Sequence, residues 1–180
     1  MSESVSSILG SWSSFYVLSG SSAGALTGLM FVVITLVTGV ERSRNARDGL
    51  SVFSTPTVAH FGSALLVSAV LSAPWGSFVS PAAMLGLGSL YAVIYVTRVW
   101  TRTSGLTEYR PDLEDLVWYT ILPLVAYAAI LAGAIILLVI PIDAMFAIAA
   151  GVLLLIIVGI RNAWDIVTFL AIEGPTKPTT

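Results

Sequence analysis

Apolar residues fall along this chain in five long runs, at about 15–40, 56–73, 81–99, 116–140 and 143–172, separated by short polar breaks. A helix crosses the hydrocarbon core of a bilayer with about 17–25 residues, so each run is long enough to span one. Proline punctuates the pattern. Thr55-Pro56, Ser80-Pro81 and Arg110-Pro111-Asp112 place it at or near a first helical position, where its missing N–H costs nothing. Asp143, just after Pro141, is the expected N-cap of the fifth helix. Pro74-Trp75-Gly76 ends the second. Pro123 lies inside the fourth, where it should kink the helix and take the usual amide partner from the carbonyl of Tyr119. The predicted fold is an all-α integral membrane protein, a single domain over 1–180 with five transmembrane helices, because lipid offers the backbone no hydrogen-bond partners. The tail 174–180, with two prolines, is expected to be disordered.

Charge orients the bundle. All eight Lys and Arg residues fall on one side of the runs. Arg42, Arg44 and Arg47 follow the first, Arg98, Arg102 and Arg110 lie around the third-to-fourth connection, and Arg161 and Lys177 come late. The positive-inside rule then puts the N-terminus outside and the C-terminus inside. Trp12 and Trp75 fall near the expected outer ends, and Trp100, Trp118 and Trp164 near the inner ends, where headgroups hydrate an indole N–H. The inner loops, about 41–55 and 100–115, are the sizeable soluble parts.

Composition narrows the chemistry. Apolar residues make up 57% and charged residues 10%, against about 25% charged in soluble domains. Without cysteine there is no disulfide, iron–sulfur ligation or thiol catalysis. One histidine, His60, rules out a multi-histidine zinc site or bis-histidine haem site within one chain, although a symmetric oligomer brings copies together. Basic residues are too few and too scattered for nucleic acid. No zinc motif, phosphate loop or Ser–His–Asp spacing appears, so no catalytic residue, metal or cofactor is expected, and an enzyme is unsupported. Met1 to Ser11 carries no basic residue, so no signal peptide is expected there.

Gly20, Gly24 and Gly28 form a GxxxGxxxG stripe on the first helix, widened by Ser21 and Ala25. Small residues at that spacing let another backbone approach closely, within the chain or across a symmetric seam around a pore. On the second helix His60, Ala64, Ser68 and Ser72 recur every four residues. That stripe either packs on the glycines, its hydroxyls bonded to carbonyls one turn back, or lines a hydrated path. His60 is the candidate pH sensor. Arg161, Asn162 and Asp165 interrupt the fifth run. Either the helix continues and buries them in the inner leaflet, where Arg161 and Asp165 pair at i, i+4, or Arg161 marks the helix end. Glu108, Asp112, Glu114 and Asp115 surround Pro111, where the helix dipole favours carboxylates; the alternative is a metal cluster.

The block Phe15 to Leu36, and above all AGALTGLMFV from Ala23 to Val32, resembles the first span of a broad set of small bacterial multi-span membrane proteins, some labelled modulators of the membrane protease FtsH. The resemblance implies bacterial origin, the inner membrane and an oligomer-prone protein, and carries no site residue across. The expected function is a small homo-oligomeric channel, with the first or second helix facing a shared axis. The alternative is a non-conducting regulatory or scaffold subunit with a membrane-protein partner.

Overall fold

The structure, a computed structural model, describes residues 4–40, 44–103 and 113–172. Its helices are α1 (Val5–Val40), α2 (Arg44–Ser72), α3 (Val79–Thr103), the short α4 (Leu113–Leu116), a π-helical stretch (Val117–Ile121), α5 (Leu122–Ile136) and α6 (Pro141–Ile172). Among the described residues, four stretches are long and apolar enough to cross a membrane: Val5–Thr35, Val79–Arg98, Val117–Ile136 and Pro141–Thr168. The apolar part of α2, Pro56–Ser72, is shorter. At 1.5 Å per residue it reaches about 25 Å, somewhat less than the roughly 30 Å core of a bilayer.

Several boundaries differ from those the hydropathy pattern sets, each for a physical reason. The first helix begins at Val5, not near Phe15, because its early turns pack on the start of α6. Ile8 and Leu9 are buried, Trp12 meets Phe146 edge-on with centroids 4.6 Å apart, and Tyr16 Oη donates to the Met145 carbonyl at 3.1 Å. The second helix begins at Arg44, with Pro56 inside it, not at the helix start. Pro56 marks where the chain turns apolar, and the helix is already running. Most of the expected inner loop 41–55 is therefore helix.

The fourth run is helical only to Ile136. A turn follows, in which the amides of Val139 and Ile140 converge on the Ile136 carbonyl at 3.0 and 2.9 Å. The irregularity expected at Pro123 takes the form of the preceding π-helical stretch. There the Leu122 N–H bonds to the carbonyl of Val117, five residues back, and the next residue is a proline with no N–H to give. Tyr119 is not left without an interaction. Asp143 is not an N-cap: α6 starts at Pro141, which places Asp143 in the first turn, where the macrodipole favours a carboxylate. The helix continues through Arg161 to Ile172, so Arg161 does not mark its end. The tail 174–180 lies outside the described residues.

α6 is the central element. It packs against α5, α2 and α1, while α3 lies against α5 and α1 pairs with α2. Backbones come closest where α5 crosses α6. A Cβ on Gly151 would lie 2.7 Å from the Ala126 carbonyl oxygen, and one on Gly133 would lie 3.0 Å from that of Ala144. Ile130, Ile148, Val152 and Leu155 fill the space between these points. The exterior is largely apolar, with Leu18, Phe31, Leu87, Tyr91 and Val139 all well exposed. An exterior of that kind suits lipid rather than water.

Candidate functional site: a buried polar cluster between α2, α5 and α6

Polar side chains gather at one end of the bundle, where α2 rises and α6 finishes. The crossing of α2 and α6 sets their levels. The Phe61 ring lies so close to Gly159 that a Cβ there would be 2.5 Å from Cε1. Val58 and Phe61 share a small apolar cluster with Ala163 and Ile166, so the two helices run in opposite directions. Thr57 and Asn162, each about one turn beyond the Phe61–Gly159 contact, then occupy similar depth. Thr57 and Asn162 have no exposed surface.

His60, beside Phe61 in sequence, turns toward α5. Its Nδ1 lies 3.1 Å from Tyr127 Oη, and Tyr127 Oη lies 3.1 Å from Ser63 Oγ. The result is a buried chain Ser63–Tyr127–His60 in which each hydrogen-bond direction depends on the next, because an imidazole nitrogen donates or accepts according to its tautomer. Among the described residues, His60 Nε2 and both amide atoms of Asn162 are buried without a hydrogen-bond partner. A buried unsatisfied polar group costs about 1–3 kcal/mol.

At the rim the same end carries charge. Arg161 pairs with Asp165 one turn on and, through Nη2 at 2.7 Å, with Glu114 Oε1 of α4. Its guanidinium also sits 5.8 Å from the Trp118 ring centre, within reach of a cation–π contact. One cation and two carboxylates leave this set with a formal charge of −1. Glu114 belongs here and not only to the first-turn carboxylates beside Pro111. Glu108 and Asp112 lie outside the described residues, and no cluster of possible metal ligands occurs among those described.

The glycine stripe of α1 meets α2 within the chain. A Cβ on Gly20 would fall 2.9 Å from Ser68 Cβ, one on Gly24 would touch only Leu65 Cδ1 at 3.9 Å, and Gly28 has nothing within 4 Å. Ser68 is buried in that contact, and its Oγ makes no bond to a carbonyl one turn back, although Thr27, Ser89 and Thr97 do. Ser72 is exposed near the end of α2. The second-helix stripe therefore divides: Ser68 faces α1, His60 faces α5, and Ser72 faces outward. Trp75 donates its indole N–H to the Val70 carbonyl at 2.6 Å and so closes the end of α2, rather than offering that N–H to headgroups. Trp164 is exposed, and the Trp100 side chain lies outside the described residues.

Sequence reasoning found His60, Arg161, Asn162 and Asp165, and missed Thr57, Ser63, Tyr127 and the pairing role of Glu114. Tyr127 gave a usable signal, a phenol inside an otherwise apolar run. These features define a helical bundle, among the described residues, with four helices long and apolar enough to cross a membrane and its ion pairs and buried histidine at one end. No protein-family model, curated protein or solved structure matches the chain.

Proposed function

We propose that the protein is a homo-oligomeric membrane conduit in which α1 lines a shared axis. The observation that carries this reading is where exterior polarity falls. α1 exposes Ser13, Ser14, Ser21 and Ser22 together with Gly10 and Gly28, beside the exposed apolar Val17, Leu18, Leu29, Phe31 and Val32, and so mixes hydroxyls and small residues into its outward surface, while the exposed faces of α5 and α6 carry mainly large apolar side chains. Hydroxyls and small residues on an outward face suit either a hydrated axis or a close seam between copies. The second helix does not serve this role, because His60 and Ser68 are buried inside the protomer. Nor does a path run between α5 and α6, where Gly133 and Gly151 bring backbone against backbone. The reading includes five spans, α2 with its shorter apolar part among them, the N-terminus outside and the C-terminus inside a bacterial inner membrane. It rests there on the one-sided arginines and on the resemblance of the first span.

A second reading has its own support. Tight closure between α5 and α6 and a blind polar cluster suit a non-conducting regulatory subunit that senses or docks a membrane-protein partner. Reconstitution separates the two. Purified protein in liposomes should pass a small ion or neutral solute above the level of empty vesicles, and Ser21→Leu with Ser22→Leu should block that flux without dissolving the oligomer. No flux from correctly assembled wild-type protein, with a stoichiometric partner on co-purification, would replace the conduit by the regulatory subunit.

A further inference from the structure

We infer, on the α1-lined reading above, that the conduit carries small neutral solutes that donate and accept hydrogen bonds, with the chemistry of glycerol or urea, and excludes ions.

The first ground is charge. From Ser4 to Val40 the chain has no Asp, Glu, Lys, Arg or His. α1 spans 36 residues, about 54 Å at 1.5 Å per residue, which exceeds the roughly 30 Å hydrocarbon core. Copies of α1 around an axis therefore bring no ring of charge to it along the whole helix. α1 is also unbroken, with no proline, so its carbonyls stay in the helix ladder. Rings of free carbonyls and rings of charged side chains are the devices by which a narrow pore replaces the hydration of an ion. α1 offers neither.

The second ground is the state of its hydroxyls. Positions 7, 14, 21, 28 and 35 are Ser, Ser, Ser, Gly and Thr, all exposed. Seven residues make nearly two helical turns, so these positions keep to one outward line, away from Gly20, which meets α2. Elsewhere hydroxyls turn back on their own helix: Thr27, Ser89 and Thr97 each donate to a carbonyl four residues before. Ser14, Ser21 and Ser22 make no side-chain hydrogen bond among the described residues. Open hydroxyls on the outward face of a membrane-length helix suit water or a polar solute rather than hydrocarbon.

The third ground is where the hydroxyls stop. Between Ser22 and Thr35 the exposed residues of α1 are Ala25, Gly28, Leu29, Phe31 and Val32. That interval is about 20 Å long. An ion crossing it meets no charge, free carbonyl or exposed hydroxyl, and apolar constrictions of this kind stop ions by shedding water. A small neutral solute gives up far less there, because an unpaired hydroxyl or amide is much cheaper to bury than a bare charge. The two stretches act in series: the serines take the solute from water, and the apolar stretch rejects ions.

Full-length protein in liposomes tests this, with light scattering to follow entry of glycerol and urea and ion electrodes to follow release of K⁺ and Cl⁻. Glycerol and urea should enter faster than they enter empty vesicles, while K⁺ and Cl⁻ are held as well as in empty vesicles. Release of K⁺ or Cl⁻ alongside solute entry would overturn the solute class and leave the conduit standing. Neither entry nor release above the empty-vesicle level, from assembled protein, would overturn the conduit and the solute class together. Val32→Asp sets carboxylates in the apolar stretch and should cause loss of K⁺. Val32→Thr, close to valine in size, is the second variant where the aspartate prevents assembly, and should speed glycerol entry. An assembled Val32→Asp protein that holds K⁺, or a Val32→Thr protein with unchanged glycerol entry, would show that the path does not follow α1 and would overturn the inference.

Discussion

Adding one methyl group at successive glycines of α1 tests the helix packing quantitatively. In Gly20→Ala the new Cβ would stand 2.9 Å from Ser68 Cβ. Carbon atoms are at rest about 3.5–4.0 Å apart, so α1 and α2 must separate by about 0.6–1.1 Å. Neither Cβ can rotate away, because each is fixed to its backbone. Overpacking of this kind costs about 1–3 kcal/mol. Gly24→Ala would meet only the tip of Leu65, at 3.9 Å, and Gly28→Ala would meet nothing within 4 Å. All three changes gain about the same helix propensity, up to about 1 kcal/mol. That gain cancels in a comparison, so Gly20→Ala should be less stable than Gly28→Ala by about 1–3 kcal/mol, with Gly24→Ala close to Gly28→Ala. Equilibrium unfolding in bicelles measures this ranking. Ser68→Gly in the Gly20→Ala background removes the opposing Cβ and should restore much of the loss. Equal stability of Gly20→Ala and Gly28→Ala would refute the contact. A Gly28→Ala chain that keeps its stability but loses its oligomer would place Gly28 on a seam between copies.

Two further predictions concern the rim and the orientation. Arg161 and Asp165 are 32% and 35% exposed at the side chain and Glu114 is 64% exposed, so losing either carboxylate alone should cost about 0.2–1 kcal/mol. Removing both strips Arg161 of its anions and should exceed the sum of the singles by about 0.5 kcal/mol or more, as read by a double-mutant cycle; additivity would show that the carboxylates do not share the arginine. Reporters fused after Ser2 and after Thr180 should report opposite sides, the C-terminus in the cytoplasm, whereas both on one side would mean an even number of spans.

Hydropathy reveals an all-helical chain with membrane-length helices because the signal is carried by composition over a score of residues. It does not mark where helices begin. Polar Arg44 to Ser54 is as helical as the apolar turns after it, and Val5 to Ser14 is held by α6 rather than by its own hydropathy. Four-residue spacing puts small side chains on one face of α1 and of α2, but which glycine takes the contact depends on where the helix axes cross. Gly20 lies at that point and Gly28 does not. Gly133 and Gly151 belong to no repeat, so nothing along the chain announces that they set the closest backbone approach. The rim triad is half visible. Asp165 is one turn from Arg161 in sequence, whereas Glu114 reaches it only because α4 and the π-helical stretch lie against α6.

Two parts of the bundle are built on opposite physical terms. Where α5 crosses α6, glycines bring backbone against backbone, and the gain is dispersion between surfaces that admit nothing else. Toward the finish of α6, the chain places an asparagine with no partner among the described residues, a histidine with one free nitrogen and a phenol, beside a helix widened into a π turn ahead of Pro123. At about 1–3 kcal/mol for each unsatisfied group, against a total stability of about 5–15 kcal/mol, these side chains weaken the fold they sit in. A leucine at 162 would fill similar volume without that cost, so packing alone does not account for Asn162. Departures of this kind from local consistency are expected at functional sites. Here the departures coincide with the only charged triad among the described ion pairs and with an interruption of the regular backbone ladder. Burial without partners sets His60 and Asn162 apart from the apolar residues around them, and packing alone does not explain them.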